Sequence, residues 1–231
     1  MAITLYDLAG AEADRRFSPF CWRTKMALAH KGLEFETVPW RLTEKDKLPQ
    51  PNAGRVPVIV DSGHVVHDSS TIAEYLESHY SDRPALFGGE AGRALTRFVQ
   101  NWTETVVHAA VLRFVLLDIH RHIGPVDQTY FRQSREERFG MTIEEFVKDR
   151  DQRLPAFRDD LTPLRRTLER QKFLGGGGPV YADYVVFGAF RWARAISNFE
   201  LLAADDPVAA WRGRMLDLFG GLARKSPAYG S

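Results

Sequence analysis

The stretch Arg55-Val56-Pro57-Val58-Ile59-Val60, followed by Asp68-Ser69-Ser70-Thr71-Ile72, restricts the fold of this chain more than any other. Proline has no N–H to give to a sheet ladder, which excludes it from the interior of a central strand. It fits if Pro57 stands just before the strand, in a tight turn that a cis bond would serve. Val56 is then held extended, with its N–H and C=O open to pairing by another extended backbone. Asp68-Ser69-Ser70 reads as a helix start, where unpaired N–H groups and the helix dipole favour a carboxylate. Peptide pairing beside carboxylate binding suggests a small anionic peptide as ligand.

The first eighty or so residues alternate in type. Ile3-Thr4-Leu5-Tyr6 is β-prone. Pro19 opens a helix running to about His30, with Trp22, Met26 and Ala29 at helical spacing and Gly32 as a stop. Phe35-Glu36-Thr37-Val38 alternates as a strand, and Thr43 to Asn52 reads as one irregular helix. Val58 to Val60 and His64 to His67, joined by Asp61-Ser62-Gly63, read as a hairpin. Ser70 to Tyr80 is helical, with Ile72, Tyr75, Leu76 and His79 on one side. The order βαβαββα builds a small mixed sheet with helices on its faces, the thioredoxin-like arrangement.

Beyond this the strand signals cease. Ala91 to about His122 is a long helical region that Gly124-Pro125 breaks, and helical patterning returns over Thr142 to Arg170. Ala182 to Asn198 is apolar enough to be the centre of a bundle, and Pro207 to Leu222 adds a last helix. The expected organisation is α/β followed by all-α: a thioredoxin-like domain over 1–81, a linker over 82–90 and an all-helical domain over 91–231.

Composition removes several classes of function. The net charge of +1 implies no general affinity for nucleic acid or an anionic membrane. No apolar run approaches the ~18 residues of a membrane span, and the first residues lack the pattern of a signal peptide. One cysteine excludes an internal disulfide framework and fits a reducing compartment, so the cytoplasm is expected. His108, His120 and His122 lack an obvious ligand geometry and read as surface histidines, so no metal is expected. Gly175 to Gly178 has no following Lys-Ser or Lys-Thr to make a phosphate loop, and Ser18 has no nucleophile elbow.

Ser18 sits at or near the N-cap of the first helix, in Phe17-Ser18-Pro19-Phe20-Cys21-Trp22-Arg23-Thr24-Lys25. A hydroxyl there, beside unpaired backbone N–H groups, can stabilise a thiolate or oxyanion; alone, it is an ordinary cap. In a thioredoxin-like sheet, Ser18, Val56-Pro57 and Asp68-Ser69 would share one edge. Together with Tyr181-Ala182-Asp183 at the start of the apolar helix, these motifs make the whole chain resemble the cytosolic glutathione transferases. Ser18 to Leu28 with Lys31-Gly32, Asn101-Trp102, Ser134-Arg135-Glu136, Asp151 to Pro155 and Asp217 to Leu222 are similar to the bacterial β-aryl-etherase branch and its fungal relatives.

The resemblance implies glutathione as co-substrate. Val56 would pair with its cysteinyl backbone, with Pro57 cis. Asp68 and Ser69 would hold the γ-glutamyl end, and Arg55 would reach the glycyl carboxylate, with Arg41 and Lys45 as alternatives that also read as surface charge. Ser18 would hydrogen-bond the sulfur, and the thiolate would attack an aromatic electrophile or cleave a β-aryl ether. Phe17, Phe20 and Phe114 are candidates for the wall of the second-substrate pocket, while Trp192 reads as core. A homodimer is also implied. A binding protein for glutathione and bulky aromatic compounds without turnover is the alternative, and a thiol reductase using Cys21 a third reading. Ser18 stands where a redox motif of this kind has its nucleophilic cysteine, which argues against the reductase. Val180 departs from the usual polar cap before Tyr181-Ala182-Asp183, a loss of about 1 kcal/mol to that helix.

Overall fold

β1 (Ile3–Leu8) lies inside a four-stranded sheet. It pairs in parallel with β2 (Phe35–Trp40) and antiparallel with β3 (Val58–Asp61), whose other side carries β4 (His64–His67), giving the order β2-β1-β3-β4. The structure, a computed structural model, describes residues 2–52 and 54–229. α1 (Pro19–His30) makes the crossover between the parallel strands. Its N-terminal Pro and the Gly32 at φ 64 that follows it are the start and stop the sequence signals. β2 holds Pro39, tolerated because this is an edge strand. The hairpin turns at Ser62 and Gly63, both at positive φ (49° and 87°), the twist that suits a two-residue loop.

The irregular helix expected over 43–52 shrinks to a single 3-10 turn at Lys45–Lys47. Pro49 and Pro51 supply no N–H to extend it. α2 (Ser69–His79) follows the hairpin and completes a thioredoxin-like domain.

The remaining elements are all helical. α3 (Glu90–Trp102) runs through a π-helical turn at Thr103–His108 into α4 (Ala109–His122). α5 (Pro125–Phe139) starts straight after the Gly124-Pro125 break. α6 (Ile143–Val147), α7 (Arg150–Asp160) and α8 (Thr162–Leu168) lead to α9 (Tyr181–Ile196) and α10 (Pro207–Gly221). Along α9 every residue but Trp192 and Arg194 is buried, as its apolar sequence predicts. α10 is interrupted at Leu218 to Gly220, where Phe219 and Gly220 take positive φ.

α9 packs against α1 and so joins the two domains. The contact is close at Gly188, where a Cβ would stand 2.5 Å from the carbonyl oxygen of Pro19. The start of α9 is capped from inside the helix. Asp183 accepts from the N–H groups of Val180 (3.0 Å) and Leu174 (2.8 Å) and from the Trp211 indole (2.9 Å). The missing polar side chain at Val180 is thereby replaced by a buried carboxylate three residues on. On α3, by contrast, Leu95 and Phe98 are 67% and 72% exposed, one helical turn apart.

Candidate functional site

The sheet register brings three chain segments to one edge. Tyr6 pairs with Val58, and Val58 with His67. The loop after β1, the residues before β3 and the residue after β4 therefore emerge side by side. They are the segments that carry Ser18, Val56-Pro57 and Asp68-Ser69.

Ser18 is the N-cap of α1, with φ −61° and ψ 122°. Its Oγ accepts from the Cys21 N–H at 3.2 Å, and the hydroxyl, which can also donate, lies within hydrogen-bonding reach of the Cys21 thiol. The segment is held from below: the Trp22 indole donates to the Arg16 carbonyl (3.0 Å), and buried Asp7 pairs with Lys25 and with Arg16 (3.5 Å). Lys25 and Arg191 lie 4.2 and 4.4 Å from the Trp22 ring centre. Cys21 is fully buried, and burial pushes its thiol well up, with the Asp7 charge adding to the shift. A nucleophilic role for Cys21 is disfavoured on both counts.

The Val56–Pro57 bond is cis, as the sequence predicts. Val56 lies outside the ladder, which begins at Val58, and no hydrogen bond to its backbone occurs among the described residues. Asp68 has φ 71°, a conformation uncommon for a residue with a side chain and one that clusters at functional sites. Its Oδ1 accepts from the N–H groups of Ser70 and Thr71, both at 3.0 Å, so part of this carboxylate is spent on capping α2. Ser69 is buried, and its carbonyl accepts from the Tyr181 hydroxyl at 2.7 Å, which ties the start of α2 to the start of α9. Ser70 donates to Gln100 of α3 at 2.8 Å.

Arg55 is exposed, beside Val56. Arg41 donates to the Ala11 carbonyl at 3.3 Å, and Lys45 lies 5.4 Å from the centre of the Tyr130 ring. Asp127 of α5 receives both the N–H (3.0 Å) and the hydroxyl (2.8 Å) of Thr43. α5 thus docks on the connection between β2 and β3, a contact that no short-range pattern announces.

Of the aromatic candidates, Phe20 is half-buried, while Phe17 and Phe114 lie in the hydrophobic core. Phe114 stacks on Phe199 at 5.5 Å and tilts against Phe157 at 5.3 Å. Trp192 is half-buried rather than fully inside. His108 is not the surface histidine its sequence context suggests. It closes the π-helical turn, edge-on to Phe20 (5.4 Å) and Trp192 (5.9 Å), with Nε2 buried and unbonded. Burial, aided by the charge of Arg23, pushes its pKa down to about 3. His122 instead meets the Tyr229 hydroxyl at 3.0 Å. Among the described residues no cluster of His, Cys, Asp and Glu could hold a metal ion, and no helix is long and apolar enough to cross a membrane.

Residues 17–79 match the glutathione S-transferase N-terminal domain family, and residues 94–220 the glutathione S-transferase C-terminal domain family. The chain belongs to the glutathione S-transferases. It is 24% identical to glutathione S-transferase omega-1 of Mus musculus over 204 residues, 87% of this chain and 73% of that one. Among solved structures it resembles glutathione transferase GSTFuA3 of Phanerochaete chrysosporium, with a TM-score of 0.75, 26% identity, and coverage of 96% and 92% of the two chains. A glutathione S-transferase of Ceriporiopsis subvermispora, solved in complex with glutathione, shares the fold with a TM-score of 0.74 at 23% identity, over 95% and 96% of the chains.

Proposed function

We propose that the chain binds glutathione along the edge shared by Ser18, Val56-Pro57 and Asp68-Ser69, and activates its thiol for attack on hydrophobic aromatic electrophiles. The observation that carries this reading is the row Tyr6–Val58–His67, which sets a free backbone edge between two helix N-termini. The cysteinyl backbone pairs with Val56. The γ-glutamyl carboxylate meets the Ser69 hydroxyl and the N–H groups at the start of α2, and the ammonium meets the Asp68 oxygen not used in capping. Arg55 takes the glycyl carboxylate.

The sulfur then lies at the start of α1, where the Ser18 hydroxyl donates to it and the helix dipole favours its negative charge. A free thiol titrates near ~8.5, so a shift of one or two units raises the thiolate fraction severalfold at neutral pH. The thiolate forms a carbon–sulfur bond as the leaving group departs with the bonding pair. For a β-aryl ether the bond broken is carbon–oxygen, and a phenolate leaves. The half-buried Phe20, with His108 and Trp192 beside it, gives this side of the site an aromatic wall, whereas Phe17 and Phe114, expected in that wall, are sealed in the core and offer it almost no surface. The exposed Leu95 and Phe98 face of α3 supports a homodimer.

The test is glutathione binding followed by the ultraviolet absorbance of bound thiolate, in wild type and Ser18→Ala. A thiolate near neutral pH that the substitution removes is the expected result, and it would justify assays on aryl ethers. Binding with no thiolate, unchanged in the variant, would leave a protein that holds glutathione and aromatic compounds without turnover.

A further inference from the structure

The helical domain holds a cavity of about 420 Å³ at the C-terminal end of α9, bordered by the connection over 197–206 and by α10. That volume falls in the range of small-molecule sites, roughly 300–1,000 Å³. None of its lining residues belongs to the Ser18 edge or to the wall of Phe20, His108 and Trp192. Most of them are apolar, with Phe190, Phe199 and Leu202 supplying the largest surfaces. Its charged residues are Arg194, Arg212 and Glu200, which leave a positive balance.

The connection that forms one wall is fixed from behind. Ser197 Oγ donates to Asp118 at 2.6 Å, and Arg158 Nε donates to the Leu201 carbonyl at 3.0 Å. Phe199 stacks on Phe114, with the Arg150 guanidinium 4.6 Å from its ring centre. Arg165 donates to Asp206, the N-cap of α10, at 2.9 Å. Walls held in this way need little reordering to accept a ligand.

Arg212 carries a charge that its neighbours serve poorly. Among the described residues its guanidinium makes no hydrogen bond. Its ion pair with Glu200 is stretched to 4.0 Å, toward a carboxylate that stands largely in solvent. Such a contact contributes little. Burial makes the charged form of Arg212 less favourable than in water, and only the charge of Glu200 opposes this. A guanidinium so placed at an apolar wall is stabilised by an anion, and its planar fork suits a carboxylate.

We infer that this cavity is a second ligand site, separate from the Ser18 edge, for a small organic anion with an aromatic body. The rings lie among Phe190, Phe199 and Leu202, and the carboxylate pairs with Arg212. The inference stands whether or not glutathione occupies the Ser18 edge.

The experiment measures dissociation constants by calorimetry for 2-naphthoate and for its neutral analogue 2-naphthalenemethanol. It compares wild type, Arg212→Gln and Ala209→Trp, a substitution at the cavity wall that fills the space, with thermal unfolding as a control on folding. The expected result is a wild-type preference for the carboxylate on the order of tenfold, the scale of one charge-assisted hydrogen bond. In Arg212→Gln that preference collapses while affinity for the alcohol stays unchanged, and Arg212→Lys restores part of it. Ala209→Trp loses both ligands, and saturating glutathione displaces neither from wild type. Retention of the full preference in Arg212→Gln would overturn the inference, as would undiminished binding by a folded Ala209→Trp. Displacement of 2-naphthoate by glutathione would place the ligand at the Ser18 edge and overturn it too, and so would a wild type that binds neither compound. Should Ala209→Trp fail to fold, the Arg212→Gln comparison alone decides.

Discussion

His108 shows how much one side chain can carry that its sequence neighbourhood does not announce. Its ring lies between Phe20 and Trp192, with Nε2 buried and no protein partner for it among the described residues. The folded chain therefore holds it neutral, with a pKa near 3 against an ordinary value of 6.5. Below that ordinary value the unfolded chain takes up a proton that the folded chain refuses. Stability from this residue is complete above about pH 6.5 and is lost as pH falls toward 3, at up to about 1.4 kcal/mol per unit. His108→Phe should flatten this dependence. Urea unfolding at pH 7 and pH 5 should show wild type losing about 1–2 kcal/mol more than the variant; equal losses would mean that His108 titrates normally. Ser18, Val56-Pro57 and Asp68-Ser69 were legible because each belongs to a short motif with its own backbone chemistry. The burial of His108 was not, because it arises from residues 20 and 192, far away in the chain.

At the scale of elements, the capping of α9 replaces a local device with a tertiary one. Val180 offers no polar side chain, yet Asp183 gathers donors from Leu174 and Val180 in the α8–α9 connection and from Trp211 on α10. Asp183→Ala would leave those donors buried without an acceptor, at a cost of about 3 kcal/mol or more. Asp183→Asn, which keeps an acceptor oxygen, should cost less. The midpoints of chemical unfolding measure both, and equal values for the two variants would show that the carboxylate acts through its charge alone. The elements themselves were largely readable: α1 spans Pro19–His30 as its Pro and Gly signals imply, and the hairpin falls where Asp61-Ser62-Gly63 puts it. The helix expected over 43–52 did not form, since its prolines allow only one 3-10 turn. α5 was legible only in part. Pro125 after Gly124 is an ordinary helix start, read in the sequence only as a break, while the docking of α5 on Thr43 has no local mark.

For the whole molecule, the exposed pair Leu95 and Phe98 is the feature that a single chain leaves unexplained. Exposed apolar residues one turn apart, on a helix whose Val99 and Trp102 already pack against the chain's own core, suit a second copy of the chain. Light scattering at micromolar concentration should give twice the mass of one chain, and Leu95→Glu with Phe98→Glu should give one. Burial of each side chain is worth about 1.5–3 kcal/mol, enough for the pair to decide the equilibrium. A wild-type monomer would refute this assignment. The same molecule carries a built-in clock. Its single cysteine lies beneath the Ser18 turn, sealed from solvent, so an alkylating reagent reaches it only when the start of α1 opens. The labelling rate therefore counts those openings. A ligand seated on Ser18 should slow the clock in proportion to its occupancy, and so report binding without any chemical turnover.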